Sequence, residues 1–235
     1  VELYSYSRLS LYETCPLRFY FRYVLEKPEP VTKPLAIGKA VHRGIETLVK
    51  GGTMDNALAA AFAEAEAAGL GREEGEEIRD LIAQAPVPEG EAEVHFELPL
   101  SSPESGLRLQ GYIDLVCDVN AFVDWKTNWR PYQPDETRQL ALYAWAMMEL
   151  KKSDRVQGTL YFLRHGLPLS RVYTREEAEA AQQWAFRTAR DIRDRVFLAE
   201  LHPEEAEKLF PPRAGPHCRT CPFAEECWKR TSAGP

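Results

Sequence analysis

At residue 92 the hydrophobic pattern changes period, and that change limits the chain to few architectures. Before it, the segments 5–25, 36–50, 53–69 and 72–84 read as helices. The second is closed by Gly51-Gly52, and APVPEGE (85–91) ends the helical half. Pro16, directly after Cys15, kinks the first helix or begins a new first turn, and KPEPVTKP (27–34) is a loop. From 92 to 100, Val94, Phe96, Leu98 and Leu100 alternate with His95 and Glu97, the signature of a strand with one buried face. Residues 107–118 and 121–126 make two further strands around a tight turn. A helix follows at 136–150, then a hairpin of 156–163 and 167–173 around Arg164-His165-Gly166. Thr174 and Glu177 form a capping box that opens a long helix to about residue 199. Helices, three strands, a helix, two strands and a helix predict an α/β or α+β core with a helical N-terminal elaboration.

A length of 235 residues suits one large domain, or one with an appended subdomain. The net charge of −7 argues against a protein that coats polyanions, but permits a local basic groove beside metal-binding carboxylates. No apolar run is long enough to span a membrane and VELYSYSRLS is not a signal peptide, so a cytoplasmic location is expected. Val1 suggests a chain that was processed or excised from something longer. There is no internal repeat and no GxxxxGK[ST] loop, hence no ATPase motor of its own.

The chemistry concentrates in the middle strands. In AFVDWK, Asp124 and Lys126 share a strand face with Phe122, while Val123 and Trp125 face the opposite way into packing. If this strand pairs with GYIDLV, Asp114 comes beside Asp124. Two adjacent carboxylates repel unless a cation is present, and a hard divalent ion with oxygen ligands resolves the conflict. Asp-x-Lys alone equally describes a solvated pair on a surface hairpin, but YIDLV and FVDWK are apolar settings in which an unpaired carboxylate is costly. Gln139 and Tyr143, four apart, share a face of the next helix near Arg138, as an amphipathic helix with a half-buried Tyr also would. Gly38, His42 and Glu46 form one stripe on helix 36–50, where a lone His is commonly structural and the Gly would let another backbone approach.

Five cysteines in a reducing compartment point to metal or redox chemistry rather than disulfides. Cys218, Cys221 and Cys227 are spaced C-x2-C-x5-C within the last eighteen residues, and three thiolates rarely hold a soft metal alone. Zn²⁺ would take a fourth thiolate or His217. Cys117, in LVCD, reads as an inert buried thiol.

The ordered set GKAVHRGIE, GYIDLV, VDWKT and QLALYAWA resembles the RecB-like branch of the PD-(D/E)XK nuclease superfamily. That branch carries G-x3-H-x3-E, G-x-x-D, D/E-x-K and Q-x3-Y motifs. They match Gly38/His42/Glu46, Gly111/Asp114, Asp124/Lys126 and Gln139/Tyr143, with D-x-K in place of the more frequent E-x-K. SYSRLSLYETCPLRFYFRYV is similar to the start of the iron–sulfur members, in which one N-terminal Cys joins a C-terminal C-x2-C-x5-C. AddB-type nuclease domains and the CRISPR-associated four-cysteine exonucleases are of this kind. The resemblance runs from residue 5 to 228.

It implies a restriction-endonuclease-like core, a mixed sheet flanked by helices, in one nuclease domain over 1–235. The N-terminal part would be 1–91, the core 92–200 and the iron–sulfur segment 201–235, closing onto Cys15. It implies Mg²⁺ or Mn²⁺ held by His42, Asp114, Asp124 and the Trp125 carbonyl. Lys126 would position water or stabilise the transition state, Gln139 and Tyr143 would orient Lys126 or the DNA phosphates, and Glu97 is a further candidate acid. It also implies a structural [4Fe–4S] cluster on Cys15, Cys218, Cys221 and Cys227.

The expected activity is a metal-dependent DNA exonuclease on single strands or ends, leaving 5′-phosphates and 3′-hydroxyls, in repair, recombination or CRISPR adaptation with protein partners from those complexes. The alternative is a non-catalytic DNA-end-binding subunit. Arg130, with Trp129 and Tyr132 as stacking groups, and Arg164, His165 and Arg171 are candidate DNA contacts. Arg187, Arg190, Arg193 and Arg195 are interleaved with acids, as on a solvated helix face. No element reads as a base-reading helix, so backbone-led, sequence-independent binding is expected.

Overall fold

The computed structural model describes residues 2–232. The chain opens with a short strand, β1 (Glu2–Tyr4), then α1 (Tyr6–Thr14), whose first turn is capped by Ser5 accepting from the Arg8 N–H at 3.3 Å. Cys15 is extended, with φ −159°, and Pro16 begins a separate helix α2 (Pro16–Phe19) that widens into a π turn over Tyr20–Val24. Pro16 therefore starts a new first turn rather than kinking a continuous helix. It needs no N–H there, and its fixed φ suits the first helical position.

Three helices follow: α3 (Lys33–Val49), α4 (Met54–Ala67) and α5 (Arg72–Ala83). Thr53 and Asn56 cap α4 reciprocally, and the Glu74 carboxylate accepts from the Gly71 N–H at 2.9 Å to start α5. The strands are β2 (Glu91–Pro99), β3 (Leu107–Asp118) and β4 (Ala121–Lys126), then, after α6 (Gln139–Lys151), β5 (Arg155–Phe162) and β6 (Leu167–Thr174). The capping box at Thr174 and Glu177 opens α7 (Arg175–Leu201); short α8 (Ala206–Leu209) and α9 (Ala224–Ser232) complete the described chain.

The strands form one mixed sheet in the order β1-β3-β4-β5-β6, with β2 also on β3. β4 runs antiparallel to β3 and parallel to β5, and β6 returns antiparallel to β5. With helices packed on it, this is the mixed α/β architecture expected of a restriction-endonuclease-like fold. β1 was not legible as a strand: three residues carry no period, and their order comes from parallel pairing with Leu107–Leu109, about a hundred positions on. α6 begins at Gln139 rather than 136, because Glu136 folds back onto the Gln133 N–H at 2.7 Å and closes a separate turn over Pro134–Glu136.

The chain divides into two compact units. One comprises the described residues of Val1–Pro30, Glu97–Gln110 and Gln183–Pro235. Its core stacks Tyr20 and Phe19 on Phe210, with Tyr12 edge-on to Phe19. Tyr12 donates to Asp191, and the Trp184 indole donates to Glu13 at 2.6 Å, so α7 is tied to α1. The other unit comprises Val31–Phe96 and Gly111–Gln182. There Ile37, Val41 and Ile45 of α3, alanines of α4 and Ile78, Leu81 and Ile82 of α5 pack with Leu115, Trp125 and Leu163 of the sheet side. α6 is buried nearly all round, from Leu140 to Met148, as a helix inside a core must be.

Candidate active site

The register Leu115↔Val123 and Val116↔Phe122, continued by one pair, sets Asp114 opposite Asp124. Phe122, Asp124 and Lys126 alternate with Val123 and Trp125, and the latter two pack against α3–α5. Asp124 is only 2% exposed. Its carboxylate meets Lys126 Nζ at 2.5 Å, and Lys126 also donates to Gln139 Oε1 at 3.0 Å. The Gln139 amide nitrogen faces Asp124 Oδ1 at 3.4 Å and the Tyr143 hydroxyl oxygen at 3.2 Å. A lysine only donates and a carboxylate only accepts, so these neighbours dictate which end of the Gln139 amide points where. Tyr143 is fixed in turn between Phe96 and Phe122. Gly111 permits this packing, because a Cβ there would lie 2.7 Å from the Phe96 ring and 3.2 Å from Tyr143.

On the other side, α3 presents His42. Its Nε2 lies 3.0 Å from the Trp125 carbonyl and its Nδ1 3.4 Å from Asp114 Oδ1, while Asp114 Oδ2 accepts from the Trp125 N–H at 2.7 Å. Gly38, one turn earlier, faces Thr127, whose hydroxyl would lie 3.4 Å from an added Cβ. Glu46, the third member of that stripe, is held by Arg43 at 2.6 Å and Lys50 at 2.5 Å.

Glu93 completes the group. Ligand atoms of His42, Glu93 and Asp114 all lie within 4.8 Å of one another. Nothing in the local pattern singles out Glu93 from its neighbours, since strict alternation groups it with His95 and Glu97 as a solvated strand acid. Its backbone is the unreadable signal: φ is +52°, a left-handed value that a glutamate adopts only at a cost and that interrupts the strand's regular alternation. Glu97, the acid singled out by pattern, pairs with Arg108 on β3 instead.

The ionisable groups here act strongly on one another. Burial alone would lower the His42 pKa, yet the carboxylates of Asp114 and Asp124 raise it to about 9. Burial, then the charge of Asp114, pushes Glu93 up to about 7. Asp114 stays low, against its burial, because of His42 and Lys126; Asp124 is pushed up by burial despite Lys126. Lys126 is held well above its ordinary value, with Asp124 overriding the effect of burial. Asp124 Oδ2 takes no hydrogen bond of its own beyond that ion contact. A cluster of acids beside an imidazole and the Trp125 backbone carbonyl is a donor set that fits a hard divalent cation. His42, Glu93, Asp114, Lys126 and the Trp125 backbone border one cavity of about 590 Å³, large enough for a phosphodiester.

The candidate DNA contacts divide. Trp129 is 71% exposed beside Arg164, and His165 Nε2 lies 3.0 Å from the Trp129 carbonyl. Tyr132 packs on Phe162. Arg171 is engaged by Glu177 and Asp135, Arg193 by Asp194, and Arg195 by Asp191.

In the first unit, Cys15, Cys218, Cys221 and Cys227 border one cavity of about 500 Å³, with Phe21, Phe223 and His217 in the same wall. No three of these thiols lie within 4.8 Å of one another. His217 Nε2 lies 2.9 Å from the Arg213 carbonyl. Cys117 is half-buried against the second unit's core, and burial followed by the charge of Asp118 raises its pKa.

The mixed sheet carries an acid on β3, Asp-x-Lys on antiparallel β4, and a Gln-x3-Tyr helix, α6, beside them. The chain belongs to the PD-(D/E)XK nuclease superfamily, whose sequence profile it matches over residues 4–228. Members of that superfamily are generally nucleases that act on DNA with divalent metals such as Mg²⁺ or Mn²⁺. No curated protein matches the chain.

Proposed function

We propose that this protein is a metal-dependent DNA exonuclease of the RecB-like branch, acting on single strands or DNA ends in repair, recombination or CRISPR adaptation in the cytoplasm, and carrying a structural [4Fe–4S] cluster. The observation that carries the catalytic reading is the buried Asp124–Lys126–Gln139–Tyr143 network beside the His42–Glu93–Asp114 group. A structural role alone gives no reason to gather a lysine and two acids in the protein interior, because buried charge is costly without a purpose.

His42, Glu93, Asp114, Asp124 and the Trp125 carbonyl would hold Mg²⁺ or Mn²⁺. Such an ion, when bound, acidifies water and neutralises charge on the phosphate. The protein's own groups do the rest. Lys126, kept protonated by Asp124, places a fixed positive charge where the phosphorane-like transition state gathers negative charge. Gln139 holds that ammonium at 3.0 Å, and Tyr143 holds Gln139. The water oxygen bonds to phosphorus as the 3′-oxygen departs with a proton, leaving a 5′-phosphate and a 3′-hydroxyl. His42 must give up its extra proton before it can be a ligand, so ion binding and that proton exclude one another.

For the cysteines, the support is the cavity that Cys15, Cys218, Cys221 and Cys227 share.

The deciding assay is Mn²⁺-dependent release of nucleotides from labelled single strands, run on linear and covalently closed substrates. Linear strands should be degraded and closed circles spared. Lys126→Ala should slow the reaction by about 100-fold or more. Equal release by wild type and Lys126→Ala overturns the nuclease reading in favour of a DNA-end-binding subunit; cleavage of circles overturns the exonuclease reading.

A further inference from the structure

We propose that Trp129, backed by Arg164, is a stacking platform for one unpaired base of a DNA strand entering the site. This rests on the nuclease reading for its substrate, and it explains a preference for single strands. The argument begins with the sheet. β4 and β5 run parallel, with Lys126 opposite Phe162, so the loops leaving their carboxyl ends emerge side by side. In parallel pairs of this kind, ligands meet the protein at those ends. The loop after β4 contributes Thr127 and Asn128 to the cavity wall, and Trp129 is the next residue.

Trp129 is 71% exposed, so its indole is accessible to an incoming strand. It is not a loose loop tip. The Arg164 guanidinium lies over its ring at 3.9 Å from the centroid. Arg164 is itself only 11% exposed in its side chain, because its Nε donates to the Thr127 carbonyl at 2.7 Å and its terminal nitrogen pairs with Glu77. His165 anchors the Trp129 carbonyl. The ring is thus exposed and held at once, so little rotamer freedom is lost on binding.

Stacking on such a ring selects for base-pairing state. A base inside a duplex is already covered on both faces and has none to offer; an unpaired base does.

The test measures binding without divalent ion, so that cleavage plays no part. A labelled oligothymidine and a blunt duplex are titrated with wild type, Trp129→Ala and Trp129→Phe, following anisotropy and tryptophan quenching; circular dichroism confirms that the variants are folded. Trp129→Ala should weaken single-strand binding roughly 5- to 150-fold, with duplex affinity little changed. Trp129→Phe should retain most of the affinity but lose most of the quenching. Unchanged single-strand binding by Trp129→Ala, equal losses on single strand and duplex, or no single-strand binding by wild type would each overturn the platform. The two readings fail separately. Trp129-dependent binding without Mn²⁺-dependent cleavage would sink only the nuclease assignment. Cleavage with unaltered Trp129→Ala binding would sink only the platform.

Discussion

Glu93 sits where a carboxylate is expensive. Its backbone is left-handed, with φ +52°, and burial together with the charge of Asp114 resists its ionisation. Strain and repulsion of this kind persist only when the surroundings impose them, and they gather at functional sites. Glu93→Gln keeps the shape and removes the charge. We expect it to weaken Mn²⁺ binding, followed by calorimetry, by at least about tenfold. It should not lower the thermal midpoint, since a like-charge contact is relieved. Unchanged Mn²⁺ affinity would exclude Glu93 from the ligand set. Asp124 and Lys126 behave differently. Each is the reason the other is tolerated inside the protein, and removing either one alone would strand a buried charge.

At the scale of elements, positions within one helix or one strand were legible in advance. The i, i+2 spacing of Asp124 and Lys126 and the i, i+4 spacing of Gln139 and Tyr143 correspond to shared faces in the structure, and the Thr174–Glu177 cap is formed as written. Contacts between elements were not legible. Tyr12 of α1 is an example: a residue of an apolar helical stripe, it proves to be the donor that ties α1 to Asp191 of α7. Burial, then the hydrogen bond to Asp191, raises its pKa well above the ordinary value of 10.0. A group with a raised folded pKa stabilises the fold fully below its unfolded pKa, and that contribution is lost as pH rises through the folded value. Stability of the wild type should therefore fall from about pH 10 upward more steeply than that of Tyr12→Phe in urea unfolding. At neutral pH the variant should be less stable by only about 1 kcal/mol, because Arg195 still satisfies Asp191. Parallel losses in the two proteins would remove Tyr12 as the cause.

At the scale of the whole molecule, the first unit is assembled from three stretches far apart in sequence. Cys15 and Cys218 are about 200 residues apart, yet they border the same cavity. A cluster bridging them would close a very long loop and remove unfolded-chain entropy, as a disulfide does. Anaerobically purified protein should be brown, with iron and sulfide in stoichiometric amounts. Cys15→Ala should lose the cluster and destabilise the first unit by roughly 3 kcal/mol or more. A full cluster in that variant would rule Cys15 out and turn attention to His217; a colourless protein with stoichiometric zinc would replace iron by zinc. The described residues contain no helix long and apolar enough to cross a membrane.

Everything that repeats at short range can be read from the residues alone. The change of period at 92 set the order of elements, the spacing of Asp124 with Lys126 and of Gln139 with Tyr143 set shared faces, and Pro16 and the Thr174–Glu177 cap marked where two helices begin. Which of these surfaces meet is settled by long-range folding. It brought the Trp125 carbonyl to His42, turned Glu93 out of its strand's alternation, ordered β1 against β3 and gathered four cysteines around one cavity. The physical reason is the range of the forces that each reading can see. Periodicity records the burial of one face of one element. Left-handed backbone, three-residue strands and converging thiols are held by packing and charge from distant parts of the chain, and those partners leave no mark on the local pattern.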